Sequence, residues 1–298
     1  RAHVDAQLAA AEASGARLST VLDPDFPTGL RQVADRPPFL FYQGSLPEPD
    51  ERSVAVIGTR RASDLGLWRS ARMARGLAEN EVVVISGLAA GIDTAAHTAT
   101  LEAGGRTVAV MGTGISRPVY PAANRALARR IVASGGGLVS QFWPTAPASA
   151  RTFPQRNITM SGMSIGSVVI EAPPTSGARM QARVAAEQGK QVWLLRSLAD
   201  AQPWAARMLA TGKATSVSEL GDVLNQLQQD PAERRQLALG THAAPPAHTD
   251  GEASRPTYGS LRGRSAMATP SPDGRRRSVV LRNRSGQGHE NTGEGWQR

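Results

Sequence analysis

The sequence predicts an α/β protein on a doubly wound, mostly parallel sheet, with a short N-terminal extension and a disordered C-terminal tail. Two observations carry this expectation. From Ser53 to about Gln228, short β-branched runs alternate with helical stretches, and four of the runs stop at glycine or serine before turning into a helix. Aromatic residues make up only 4% of the 298, so the core must be built from Ala, Val, Leu and Ile, which suits helices packed on a parallel sheet.

In chain order, residues 1–50 hold an Ala-rich stretch followed by Pro24, Pro27, Pro37, Pro38, Pro47 and Pro49. These prolines punctuate a short helix and an irregular lead-in, which together read as an appendage. Residues 51–228 form the expected α/β domain. Val54–Ile57 is a strand ending in Gly58-Thr59-Arg60, with a helix near Asp64–Glu79. Val82–Ile85 ends in Ser86-Gly87-Leu88, with a helix after Gly91 near Thr94–Ala103, and Thr107–Met111 ends in Gly112-Thr113-Gly114. A helix near Ala123–Ala133, a strand at Leu138–Gln141 and a short helix at Gln155–Gly162 follow. Val168–Ile170 ends in Glu171, with Ser176-Gly177 and a helix near Arg179–Gln188 beyond. The strand Gln191–Leu195 and helices near Pro203–Thr211 and Ser218–Leu227 close the domain, with Ser218 as the expected N-cap.

Residues 229–298 read as a basic, mostly disordered tail, rich in Pro, Gly, Ser, Arg and His, which cannot bury enough apolar surface to offset its ordering entropy. The net charge of +9 favours a polyanionic partner, but much of the excess lies in that tail, where charge marks no specific site. There is no cysteine, which excludes disulfides and thiolate metal sites. No signal segment and no membrane-length apolar run is present, so a cytoplasmic protein with no membrane partner is expected.

Four glycine- or serine-ended strands on one sheet edge make a crevice lined by N–H groups and helix N-termini, suited to phosphate. The alternative is a set of tight turns that use glycine only for its backbone freedom. A dinucleotide fold would need G-x-G-x-x-G opening the first helix, whereas Gly58-Thr59-Arg60-Arg61-Ala62-Ser63 has one glycine; no P-loop is present either. Arg60 and Arg156 read as phosphate-pairing or as solvated surface arginines. Ser176-Gly177 reads as an anion site or as a simple helix cap. Asp93 and His97, four apart, read as an orienting pair or as a packed helix start. Glu171 has no partner acid, and neither a metal site nor a catalytic group is expected.

Six ordered blocks then carry a family resemblance: V-A-V-I-G-T-R-R-A-S (54–63), V-I-S-G-L-A-A-G-I-D-T-A-A-H (84–97), G-G-R-T-V-A-V-M-G-T-G (104–114), Y-P-A-A-N (120–124), F-P-Q-R-N (153–157) and E-A-P-P-T-S-G (171–177). With the lead-in P-P-F-L-F-Y-Q-G-S-L (37–46), the chain resembles the DNA-processing protein A (DprA, or Smf) family from roughly Pro37 to Leu227. The resemblance implies a Rossmann-like domain that binds single-stranded DNA, dimerises, protects incoming strands and helps load a RecA-type recombinase in natural transformation. It implies no cofactor and no enzymatic activity. Its pocket residues carry over to Arg60 and Arg156, with Gly58, Ser63, Ser86, Gly87, Asn157, Ser176 and Gly177 as backbone or hydroxyl contacts.

Departures thin the expected charge. Ala122, Ala123, Gln155 and Ile158 stand where relatives carry basic residues. Arg196 follows the strand at Gln191 where relatives have a V-P-G turn, so it either restores a charge or marks an altered loop. The competing expectation is a Rossmann-like protein that binds or hydrolyses nucleotides or nucleotide signals, although the P-G-G-x-G-T-x-x-E block of phosphoribohydrolases is absent. A divergent paralogue that keeps the fold for protein contacts is the third.

Overall fold

The computed structural model describes residues 1–48 and 52–228. The N-terminal segment forms α1 (Ala2–Ala13), β1 (Arg17–Thr20), α2 (Thr28–Arg31) and β2 (Phe39–Gly44). The alternating region follows as β3 (Ser53–Ile57), α3 (Asp64–Glu79), β4 (Val83–Ser86), α4 (Ile92–Glu102), β5 (Thr107–Val110), α5 (Arg125–Ala133), β6 (Gly137–Ser140), α6 (Thr152–Gly162) and β7 (Gly166–Val169). It ends with α7 (Gly177–Glu187), β8 (Gln191–Leu195), α8 (Arg196–Ala201), α9 (Pro203–Ala210), β9 (Thr215–Val217) and α10 (Leu220–Gln228).

Every residue of β3, β4, β5, β6 and β7 is buried. Strands covered on both faces must be apolar or small throughout, which is why they read as runs rather than as alternations. The described strands form one nine-stranded sheet in the order β1-β2-β6-β5-β4-β3-β7-β8-β9. All pairings from β6 to β9 are parallel, so the expected doubly wound, mostly parallel sheet is present. Trp193, fully buried on β8, gives its indole N–H to the Gln226 side chain at 2.8 Å, which ties α10 back to the sheet.

The lead-in differs from the sequence expectation. The described residues 1–48 do not hang from the sheet as an irregular appendage: β1 and β2 extend it by antiparallel pairing, with Phe41 against Ser140 and Tyr42 against Val139. The proline spacing obscured this, yet Pro37-Pro38 lies just before the strand, where proline removes no ladder bond. Phe39-Leu40-Phe41-Tyr42 then supplies the aromatic and apolar residues that a strand favours. Ser218 is not the N-cap of the last helix: its hydroxyl accepts from Arg196 Nε at 3.2 Å, and Asp222 accepts the Ser218 and Glu219 N–H groups instead. The expected disordered tail at 229–298 lies outside the described residues.

Candidate functional site

The sheet order reverses between β3 and β7: β4 follows on one side of the pair and β8 on the other. The chains leaving β3 and β7 therefore diverge, and a crevice opens beyond their carboxyl ends, the place where open α/β sheets bind ligands. The crevice has a volume of about 550 Å³ and is lined by Gly58 to Arg61 after β3, Arg156 and Asn157 on α6, and Ser176 to Ala178 at the start of α7. A smaller recess of about 70 Å³ adjoins it, bounded by Gly87, Leu88, Gly112, Tyr120 and Phe153; Arg60 and Arg156 line both spaces.

The two arginines differ in kind. Arg60 is exposed, with its guanidinium 5.0 Å from the Phe153 ring centroid. Phe153 in turn lies 6.5 Å from the Tyr120 ring, and Tyr120 is 59% exposed. Arg156 is only 7% exposed; its Nη1 donates to the Val110 carbonyl at 3.0 Å and its Nε has no partner. Burial pushes its pKa down, the nearby Asp93 opposes that, and Arg60 adds to it. A desolvated, incompletely paired guanidinium at the wall of a crevice favours an anionic ligand strongly. A Cβ at Gly87 would sit 1.5 Å from Arg156 Nη1, so a side chain there displaces the guanidinium.

The loop after β4 is held by Asp93, whose Oδ2 accepts the Gly87 and Ala89 N–H groups at 3.1 and 3.4 Å. Burial raises the Asp93 pKa, while Arg156 and these N–H groups pull it back. Leu88 adopts φ +57°, rare for a bulky residue and typical of backbones held for function. His97 does not face Asp93 as an acid–base partner. The hydroxyl of Thr107 gives its one hydrogen to the Val84 carbonyl at 2.6 Å, so the His97 Nδ1 contact of 2.7 Å assigns the proton to Nδ1. Burial, with Arg156 adding to it, lowers the His97 pKa to about 3, and the ring is a neutral core group, as the packed reading expects.

The other expected residues divide. Gly58, Asn157, Ser176 and Gly177 line the crevice. A Cβ on Gly58 would lie 2.4 Å from the Ile92 side chain, so backbone must serve there. Ser176 caps α7 by accepting the Ala178 N–H at 3.2 Å. Ser63 caps α3 through the Gly66 N–H and gives its hydroxyl to Glu171 at 2.8 Å. Ser86 is fully buried, and its hydroxyl donates to the Val56 carbonyl at 2.7 Å, which joins β4 to β3. Arg196 does not restore charge to the crevice; the loop is altered instead, because β8 runs directly into α8 and Arg196 lines a separate groove with Trp68 and Arg69.

Phe153, Tyr120, Thr59 and Arg61 escaped the residue-level reading. The signal was present for the first two, since an aromatic opens both F-P-Q-R-N and Y-P-A-A-N, and an aromatic face beside an arginine is a stacking platform. No helix among the described residues is long and apolar enough to cross a membrane. No cluster of three metal-ligating side chains occurs among them.

Comparison with known proteins places the sequence and the fold. The chain is 37% identical over 185 residues to protein Smf of Synechocystis, covering 60% of this chain and 46% of the relative. It is 38% identical over 176 residues to the DNA processing protein DprA of Streptococcus pneumoniae, covering 59% of this chain and 61% of that one. It therefore spans about half to three-fifths of these relatives. The crystal structure of the S. pneumoniae protein superposes with a TM-score of 0.61 at 35% identity, over 70% of this chain and 73% of that one. The Helicobacter pylori DNA processing protein A, described for its single-stranded DNA binding mode, shares the fold with a TM-score of 0.61 at 24% identity, over 72% and 97%. The sequence profile of DNA recombination-mediator protein A matches residues 17–228, from β1 through α10, and the chain that builds this arginine-lined crevice belongs to that family.

Proposed function

We propose that the protein binds single-stranded DNA at the β3–β7 crevice, with Arg60 and Arg156 on phosphates and the Gly58, Gly87 and Gly177 backbones beside them. The observation that carries this reading is Arg156, a buried and incompletely paired cation that lines both the crevice and the aromatic recess. Phosphates satisfy its charge, while a base stacks on Phe153 or Tyr120. Asn157 and Ser176 supply further polar contacts, and Ser63 acts through its cap on α3. Residues 51–228, extended by the paired strands of the N-terminal segment, are the binding domain, and the basic residues beyond 228 add nonspecific attraction.

The role that follows is DNA processing: protecting incoming strands and assisting a RecA-type recombinase in natural transformation, as a homodimer in the cytoplasm, without cofactor and without turnover. The Glu171 carboxylate is engaged by the Ser63 N–H and hydroxyl at the α3 start. The test is fluorescence anisotropy with oligo(dT). Arg60→Ala is expected to weaken binding and lower the log–log salt slope by about 1; unchanged affinity and slope remove Arg60 from the site. Incubation with nucleoside monophosphates tests the nucleotide-hydrolysing alternative, and product formation abolished by Glu171→Gln would establish it.

A further inference from the structure

One polar side chain in the crevice has no role in phosphate binding. Gln181 lies on α7, one turn beyond the Gly177 that starts the helix, and lines the crevice beside Asn157, Met160 and Ala178. It is 1% exposed, and both its Oε1 and its Nε2 lack a hydrogen-bond partner. A buried carboxamide with neither end satisfied is costly, and proteins retain such groups chiefly where a ligand completes them.

The surroundings indicate which ligand. The amide offers a donor and an acceptor side by side, the pattern presented by the edge of a nucleobase. Ile57 and Met160 border the same crevice as apolar groups, and the α7 N-terminus, Arg60 and Arg156 supply the positive charge that an attached phosphate needs. We infer that Gln181 hydrogen-bonds the edge of one nucleobase of the bound strand, so that a site otherwise tolerant of sequence has one base-selective position. This inference rests on the reading that the crevice binds DNA.

The experiment uses the full chain with oligo(dA), oligo(dC) and oligo(dT) of equal length, followed by anisotropy, for the unmodified protein, Gln181→Met, Gln181→Leu and Arg60→Ala. The unmodified protein is expected to spread the three affinities by roughly fivefold or more, the scale of one good base-edge contact. Both Gln181 variants collapse that spread to within about twofold and leave the salt slope unchanged, because no phosphate contact is lost. They also raise the melting temperature, since an apolar chain replaces an unsatisfied amide. A Gln181 that is satisfied within the fold gives the opposite shift. Arg60→Ala weakens all three oligonucleotides together. Binding with no spread, a spread that survives both Gln181 variants, or a fall in their melting temperature overturns this inference alone. Failure of the unmodified protein to bind any of the three overturns the DNA reading as well.

Discussion

Arg156 and Gly87 form one unit: the guanidinium occupies the space a side chain at Gly87 would need. Gly87→Ala is therefore expected to displace Arg156 and weaken oligonucleotide binding, read by anisotropy, while the secondary structure by circular dichroism is retained. Phe153→Ala removes a stacking face and is expected to cost about 1–3 kcal/mol of binding. His97 supplies a test in stability instead. Its folded-state pKa of about 3 lies below the ordinary histidine value of 6.5, so the unfolded chain takes up the proton first as the pH falls. Stability from this group is complete above 6.5 and is lost between 6.5 and 3, at up to about 1.4 kcal/mol per pH unit. Urea unfolding at pH 7 and pH 5 should show the unmodified protein losing about 2 kcal/mol more than His97→Phe; equal losses would contradict a neutral buried ring.

Among the elements, α7 carries both wall and cap. Ser176→Ala removes the acceptor for Ala178 N–H and is expected to lower stability by about 1 kcal/mol in urea unfolding, with a weaker effect on binding. How far the elements were legible in the sequence depended on burial. β3 and β8 ran as apolar or β-branched stretches and α3 carried its cap at Ser63, so these elements fall within a residue of their sequence bounds. β1 and β2 were missed because pairing with β6 is a long-range choice that no local pattern encodes, and the neighbouring prolines outweighed the aromatic run. The crevice lining was legible where glycine and arginine mark it, at Gly58, Arg60, Arg156 and Gly177. The Ser86 bond to the Val56 carbonyl was not, since a strand-end serine reads the same whether its hydroxyl faces a crevice or a neighbouring strand. The orphaned amide of Gln181 has no sequence signature at all.

Over the whole molecule, the reversal of strand order opens the crevice, and the sequence of the loops sets the chemistry of its lining. The crevice lies at the β3–β7 switch point, as in dinucleotide-binding folds, but the single glycine at Gly58 followed by Arg60 and Arg61 replaces the glycine-rich turn that receives a pyrophosphate. An open groove with arginines and aromatic faces suits a strand that continues beyond the site. The basic residues past 228 complicate any binding measurement on the full chain, since charge alone attracts nucleic acid. The most direct test is the salt dependence of oligo(dT) binding by residues 1–230, with and without Arg60→Ala. The account predicts that this segment binds, and that the substitution weakens binding and lowers the log–log slope by about 1. Binding that vanishes once the basic segment is removed, or that is indifferent to Arg60, would contradict it.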